Sequence, residues 1–370
     1  MRNIIIRVWN GEAKYTRWLL YIPLAFFSYL YQIALVVREF LYKSGAIAIE
    51  KAVIPVISVG NISLGGTGKT PVVERLSQKL KEEGLHPGII TRGYKRKKKG
   101  TFVVDTQRDT AETAGDEAFM LAKKTNIPVI VGTNRLEAIE TGISSLHIDM
   151  AILDDGYQVK NLEKDVDLLI LNGKETPENH ELFPLGPYRE PFMRIRDCDA
   201  ILINKSGPGK VLFPFAANIP KFNVSYKPAH VYNMSKNLIA PYTYLKGERV
   251  TAFSGLGDNR SFFRLLKDIG ADVVHEISFP DHHRYTAKDL AKCDSFHDVD
   301  CIVTTEKDAV KMTHMDIPEN LFYLSIEVAI ENEDKLIGLL LKRIGFTPRR
   351  FLNTGFDIQQ AGFRGSKIVQ

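Results

Sequence analysis

A glycine-rich loop between a buried strand and a helix is the strongest constraint on this fold. The apolar, β-branched residues 53–59 predict the strand. Thr70 and Pro71 open the helix, where a proline fits because its missing N–H has no intrahelical partner in the first turn. The loop supplies Ser63, Leu64, Gly65, Gly66, Thr67, Gly68, Lys69 and Thr70. This order of strand, loop and helix is the one that a phosphate-binding loop requires.

The chemistry of the loop also suits a nucleotide. Its glycines let backbone N–H groups turn toward phosphate oxygens, Lys69 offers a positive charge, and the Thr70 hydroxyl can ligate Mg²⁺. The strict pattern G-x-x-x-x-G-K-[ST] fails at its first position, where this chain has Ser63. The Gly-Lys-Thr triplet and the flanking elements outweigh that departure and the alternative of a chance glycine-rich turn.

Carboxylates follow two further elements. Asp154 and Asp155 end the strongly apolar stretch 148–153, and carboxylates in that position downstream of a phosphate loop suit Mg²⁺ bound to a nucleotide. A solvated loop is the alternative. Asp116 and Glu117 open a helix, where the helix dipole alone would favour acidic residues.

Arg92 and Tyr94 follow a second short strand and should lie at the carboxyl edge of the sheet, where ligands bind. The basic run at 95–99 is either a solvated loop or a surface for an anionic ligand or lipid headgroup. Arg189 and Glu190 lie in a proline-rich segment that predicts a shaped loop.

The alternation of strands and helices predicts a mostly parallel sheet covered on both faces. Short extended pieces between residues 222 and 245 indicate a junction, after which a new βα unit begins. In this second part, Asp281, His282 and His283 offer groups that titrate near neutral pH beside a carboxylate. Surface or core histidines are the alternative. The cluster Glu306, Lys307 and Asp308 either touches a nucleotide base or forms surface ion pairs.

Residues 18–37 carry no formal charge and would form a helix about 30 Å long, close to the hydrocarbon thickness of a bilayer. Pro23 and six aromatic residues make the segment resemble one that lies at the membrane interface. Basic residues on both sides leave its orientation open, and a buried helix of a soluble core is the alternative. The formal charge of +5, without any zinc-finger, RNA-recognition or basic-zipper pattern, does not call for nucleic acid.

Seven short motifs in this order resemble the tetraacyldisaccharide 4'-kinase family of lipid A biosynthesis. They lie at residues 60–71, 91–94 (Thr-Arg-Gly-Tyr), 115–117 (Gly-Asp-Glu), 154–158 (Asp-Asp-Gly-Tyr-Gln), 184–190 (Pro-Leu-Gly-Pro-Tyr-Arg-Glu), 281–283 (Asp-His-His) and 305–311 (Thr-Glu-Lys-Asp-Ala-Val-Lys). The resemblance implies a P-loop NTPase-like α/β/α sandwich, a second, smaller α/β/α domain, a β-strand linker and an N-terminal membrane-associated helix. The expected segments are 1–45, 46–221, 222–247, 248–346 and a tail at 347–370.

The resemblance also implies an activity: ATP- and Mg²⁺-dependent phosphorylation of the 4'-hydroxyl of an acylated glucosamine disaccharide 1-phosphate, giving lipid IVA. The expected location is the cytoplasmic face of the inner membrane, with no nucleic acid and no obligate protein partner. By matching motif, Asp116 is the expected base and His282 its partner, with His283 the alternative. Lys69 joins them in catalysis, Thr70, Glu117, Asp154 and Asp155 act around Mg²⁺, and Arg92, Tyr94, Arg189 and Glu190 face the headgroup or reacting phosphates.

Two rival functions belong to other classes. One is a GTPase-like nucleotide switch, in which residues 305–308 would replace a guanine-recognising loop. That loop normally begins Asn-Lys-x-Asp, and this one does not. The other is a soluble small-molecule kinase, which the apolar N-terminal segment disfavours.

Overall fold

A computed structural model describes Trp9 and residues 14–173, 181–204, 216–236 and 238–346 of the chain. The expected tail at 347–370 and nearly all of the first thirteen residues lie outside the described residues. The strands are β1 (Val56–Gly60), β2 (Pro87–Thr91), β3 (Phe102–Val103), β4 (Val129–Val131), β5 (Met150–Asp154), β6 (Val166–Asn172), β7 (Ala200–Asn204), β8 (Lys221–Asn233), β9 (Ile239–Pro241), β10 (Arg249–Ser254), β11 (Asp272–Ser278), β12 (Cys301–Thr305) and β13 (Leu321–Ile330).

Helices alternate with these strands. They are α1 (Lys14–Lys43), α2 (Lys69–Glu82), α3 (Ala111–Ala114), α4 (Asp116–Lys124), α5 (Arg135–Leu146), α6 (Asn259–Asp268), α7 (Ala287–Asp294), α8 (Glu306–Ala309) and α9 (Glu333–Arg343). The predicted first strand starts at Val56, three residues later than expected, since Val53 is exposed and unpaired with the sheet.

The first half of the sheet, β1–β7, has the order β3-β4-β2-β5-β1-β6-β7. All its pairings are parallel except that of β3 with β4. The strands β1, β2, β4, β5 and β7 are buried at every position, as strands covered on both faces must be. Val72, Leu76 and Leu80 of α2 pack on one face, whereas Ala138 and Ile139 of α5 belong to a separate core on the other.

One long strand joins this half to the rest. Short extended pieces were predicted between 222 and 245. The first part is instead one long strand, β8, of 13 residues, whereas β9 in the second part is short as expected, with three residues. The start of β8 pairs in parallel with β7, and from Val224 to Asn233 it pairs antiparallel with β13. The second half, β8–β13, therefore continues the same sheet in the order β8-β13-β12-β10-β11, with β9 beside β8. The expected domain limits stay a prediction.

Helix α1 lies against the body along one face. Ser28 donates to the carbonyl of Leu182 at 2.9 Å, and Tyr31 donates to the carbonyl of Arg189 at 2.9 Å. Arg38 forms an ion pair with Glu190 at 2.7 Å. Ser28, Tyr31 and Arg38 share a face by their spacing along the helix. Much of the described remainder of α1 is exposed and apolar, with Tyr21, Ile22, Phe26, Phe27, Tyr29, Leu30, Ile33, Val36, Val37 and Phe40 open to solvent.

Candidate active site

The glycine-rich loop leaves the end of β1 and enters α2 through Gly68, whose backbone is left-handed with φ 84°. A side chain would be strained in that conformation, so the glycine is required there. Ser63, in contrast, is not among the residues with positive φ, is buried, and forms a bridge with Tyr188. The departure from the strict motif therefore has a local reason: the backbone at position 63 does not need glycine.

Four polar residues meet at the carboxyl end of β1 and form what we call the nucleotide corner: Asn61, Lys69, Asp155 and Arg189. The Lys69 ammonium donates to Asn61 at 3.1 Å and lies 3.4 Å from Asp155. Arg189 contacts both carboxylate oxygens of Asp155, at 3.1 and 3.0 Å, and also donates to Asn61. Burial alone would raise the pKa of Asp155, but Lys69 and Arg189 outweigh it and lower the pKa to about 2.

Asp154 has the opposite electrostatic environment. It is only 3% exposed at the end of β5, and the Thr70 hydroxyl lies 3.5 Å from its Oδ2. Its Oδ1 is buried and has no hydrogen-bond partner among the described residues. Burial, followed by the charges of Glu117 and Asp155, raises the pKa of Asp154 to about 7. A bound cation would neutralise the negative charge of the buried Asp154 carboxylate.

Asp154 and Thr70 are suited to Mg²⁺ that is bound together with the phosphates of a nucleotide. Within the part of the chain that the structure describes, no three His, Cys, Asp or Glu side chains are placed to hold a metal ion by themselves. Mg²⁺ is commonly bound by one or two carboxylates together with substrate phosphates and water. Asp154 and Thr70 meet that requirement, whereas Glu117 is engaged by Lys307 at 3.0 Å in this structure.

Asp116 and His282 form a second cluster, the Asp–His pair. Asp116 is the first residue of α4, and its Oδ2 lies 3.0 Å from His282 Nδ1. Lys311 is 3.6 Å from the same carboxylate. Burial would raise the pKa of Asp116, but the hydrogen bond with His282 and the charge of Lys311 lower it below its usual value. The carboxylate is therefore ionised at neutral pH.

The two adjacent histidines have different partners. His283 contacts Asp289 at 3.2 Å and stacks on Phe279 with ring centroids 4.6 Å apart. The backbone of His282 is left-handed, with φ 60°, which turns its side chain away from that of its neighbour. The structure thus brings His282, and not His283, to Asp116.

The expected headgroup residues occupy different surroundings. Arg92 and Tyr94 are exposed, and the Tyr94 ring lies 5.1 Å from that of His282. Arg189 belongs to the nucleotide corner. Glu190 is 1% exposed and paired with Arg38 of α1, so in this conformation it anchors the N-terminal helix instead of facing a ligand. Its expected role at the headgroup stays a prediction.

Sequence reasoning assigned no role to Asn61 or Lys311, and for Lys307 it offered only a base contact or a surface ion pair. All three contact the expected site residues. The sequence could have indicated a role for Asn61, because this residue directly follows a buried strand at the edge of the sheet where ligands bind. Both lysines lie in the motif at 305–311, but nothing in the sequence indicated their partners, since they reach Asp116 and Glu117 from a part of the chain far away in sequence.

A family model described as Tetraacyldisaccharide-1-P 4'-kinase matches residues 20–345. The chain belongs to this family. A tetraacyldisaccharide 4'-kinase from Aquifex aeolicus is 36% identical over 320 residues, which cover 85% of this chain and 96% of that protein. A tetraacyldisaccharide 4'-kinase from Halorhodospira halophila is 34% identical over 303 residues, covering 81% and 86%.

A solved structure agrees with the family assignment. LpxK from Aquifex aeolicus, crystallised in complex with ATP, matches with a TM-score of 0.74 and 34% identity. The match covers 89% of this chain and 99% of that one. The tetraacyldisaccharide 4'-kinase family, the α/β fold class and the enzyme class expected from the motifs are thereby confirmed. The roles of individual site residues stay predictions.

Proposed function

We propose that this protein transfers the γ-phosphoryl group of ATP to the 4'-hydroxyl of an acylated glucosamine disaccharide 1-phosphate. The observation that supports this most is the coexistence of two separate clusters, a phosphate-binding loop with its own carboxylates and an Asp–His pair. A nucleotide switch needs the first cluster only, whereas a kinase also needs a group that accepts the proton of the acceptor hydroxyl.

In this proposal the nucleotide corner binds and orients the triphosphate. Lys69 is held by Asn61 and Asp155, so its ammonium is positioned before ATP arrives. Phosphoryl transfer requires mainly alignment and neutralisation of charge, and a positioned cation supplies both. Mg²⁺ bound near Asp154 and Thr70 would neutralise developing charge on the phosphates.

The Asp–His pair acts on the acceptor. Asp116 accepts the proton of the 4'-hydroxyl as the hydroxyl attacks, and His282 stabilises the carboxyl group through the contact at 3.0 Å. A loose phosphoryl-transfer transition state does not need a strong base. A carboxylate with a lowered pKa is therefore sufficient, provided that it lies within reach of the hydroxyl. Tyr94 and Arg92, exposed beside His282, would contact the headgroup.

Helix α1 would bring the enzyme to its lipid substrate. In the described part of the chain, one segment, Leu20–Lys43, is long and apolar enough to cross a membrane, with a mean hydropathy of 1.8. We propose that it lies on the bilayer surface. If it spanned the bilayer, the irregular backbone at Leu182 and the Arg38–Glu190 ion pair would enter the hydrocarbon, where such groups are costly. The surface would be the cytoplasmic face of the inner membrane, where ATP is available.

The test is incubation of the full-length protein with labelled ATP, Mg²⁺ and an acylated disaccharide 1-phosphate in detergent micelles. We expect acceptor-dependent transfer, with the new phosphate located at the 4'-oxygen. Acceptor-independent GTP hydrolysis would support a nucleotide switch instead. Transfer to a water-soluble sugar at the same rate as to the lipid would favour a soluble small-molecule kinase.

A further inference from the structure

The glycine-rich loop is held by two side chains that no motif in the sequence identified. The Tyr226 hydroxyl, on β8, donates to the carbonyl of Gly68 at 2.8 Å. The Asn204 amide, at the end of β7, donates to the carbonyl of Thr67 at 3.0 Å. The two carbonyls are consecutive, and their donors are 158 and 137 residues away along the chain.

Fixing a carbonyl also fixes the next N–H group. In a planar trans peptide the C=O and the following N–H point in opposite directions. The contact of Asn204 with the Thr67 carbonyl therefore directs the Gly68 N–H away from β7. In the same way, the contact of Tyr226 with the Gly68 carbonyl directs the Lys69 N–H away from β8.

The N–H groups of Gly68 and Lys69 are of the kind with which a phosphate-binding loop binds phosphate oxygens. Lys69 opens α2, so its N–H has no carbonyl partner within the helix. Such N–H groups at a helix start, preceded by a glycine loop, bind phosphate oxygens. A carbonyl turned toward the same space would instead repel an anion.

We propose that Tyr226 and Asn204 are positioning residues for the triphosphate, which hold the loop with its N–H groups facing the ligand. The proposal rests on ATP binding at this loop, as the proposed function does. Burial raises the pKa of Tyr226, so its phenol stays protonated and able to donate. Tyr226 also lies in register with Val328 of β13, so the strand that joins the two halves of the sheet is the one that supports the loop.

The sharpest variant is Tyr226→Phe, which removes the hydroxyl and keeps the ring. We expect the Kd for ATP, measured by calorimetry without any lipid acceptor, to rise roughly 3- to 10-fold, the size of one lost hydrogen bond. At saturating ATP, kcat should stay within about twofold of the wild type, because the loop is then occupied. Asn204→Leu should raise Kd by a similar factor. The double variant should fall short of the product of the two factors, because the two carbonyls are consecutive and both contacts hold the same loop.

Tyr232→Phe is the matched control. Tyr232 is on the same strand, but it lies in register with Tyr323 of β13, and its ring stacks on that residue with centroids 4.8 Å apart. Its Kd for ATP should be unchanged. A purely structural role for Tyr226 would lower the unfolding midpoint of Tyr226→Phe and leave the Kd for ATP within twofold of the wild type, which would overturn the proposal. Because ATP binding is measured directly, this result is distinct from a failure of lipid phosphorylation.

Discussion

The nucleotide corner and the Asp–His pair are built in different ways. Asn61, Lys69, Asp155 and Arg189 all come from the first half of the sheet or its loops, and they already contact one another. Asp116 and His282 come from opposite halves and are 166 residues apart in the chain. The nucleotide corner is formed within one half of the sheet. The Asp–His pair forms only because residues of the two halves lie against each other.

Ion pairs between the halves hold that docked arrangement. Lys307 reaches Glu117 at 3.0 Å, and Lys124 reaches Glu306 at 2.9 Å. Lys124 also contacts Glu74 of α2 at 3.1 Å.

Because the two clusters are built separately, changes in the nucleotide corner should affect ATP binding. Changes in the Asp–His pair should affect turnover alone.

The largest effect is expected from Lys69→Ala. The substitution removes the loop's own ammonium at the point where phosphate charge must be neutralised, and Arg189 stays paired with Asp155 and cannot replace it. Turnover should fall by at least about 10²-fold, and ATP should bind more weakly. Steady-state kinetics and calorimetry measure the two effects. The control is Lys79→Ala on the same helix, since Lys79 pairs with Glu82 at the surface. An equal loss in both variants would contradict the assignment.

The second prediction concerns the Asp–His pair. Asp116→Ala and His282→Ala should each lower kcat by about 10²-fold or more and leave the Kd for ATP within a few-fold of the wild type. The double variant should be little worse than either single one, because the two residues act as a unit.

His283→Ala is the control for that experiment, because His283 is paired with Asp289. We expect its kcat to stay within about threefold of the wild type. A comparable loss of ATP binding in Asp116→Ala would show that this carboxylate serves the nucleotide, and the contrast between the two clusters would then be lost.

The same contrast decides how much could be predicted from sequence. The glycine loop, its strand and its helix have short-range patterns, so Lys69 was assigned to the phosphates from sequence. Asp155 was expected near Mg²⁺, Arg189 was expected at the headgroup or reacting phosphates by resemblance alone, and Asn61 was not assigned. The motif resemblance paired Asp116 with His282, but the residues alone could not choose between His282 and His283, because that choice depends on the backbone conformation at position 282. The length of β8 was missed because Pro228 resembles a break. The strand pairs with β13 on both sides of Pro228, with a shift of register there, and this pairing overrides the local signal.

A third prediction uses the opposite pKa directions of two aspartates. The pKa of Asp154 is raised, so the native state holds its proton more tightly than the unfolded chain, and stability falls as pH rises from about 4 to about 7. Asp154→Asn should therefore stabilise the protein at pH 8, and by much less at pH 4. Urea unfolding without Mg²⁺ or ATP would measure this.

Asp116→Asn is the matched variant for the stability experiment. The pKa of Asp116 is lowered, so its ionised form stabilises the fold above the unfolded pKa of about 4. The substitution should destabilise the protein at pH 8, the reverse of Asp154→Asn. Stability changes of the same sign in both variants would contradict the opposite electrostatic environments of Asp154 and Asp116.

The smallest expected effect concerns how the enzyme reaches its two substrates. ATP diffuses in water, whereas the lipid does not. Ile22, Val36 and Phe40 are the most exposed apolar residues of α1, at 79%, 63% and 67%. Replacing all three by serine keeps the face that docks on Leu182 and Arg189, whereas deleting the helix would leave Glu190 buried without Arg38. Vesicle affinity should fall by about 10-fold, as partial loss of apolar burial predicts.

The KM for acceptor in vesicles should rise with that loss, and the KM for ATP should not change. Leu238→Ser with Ile239→Ser provides the control, since both residues are exposed apolar side chains in the second half of the sheet. If the control weakened co-sedimentation with anionic vesicles as much as the α1 variant, the membrane would contact both halves. If neither variant did, α1 would not be the element that brings the Asp–His pair to its lipid.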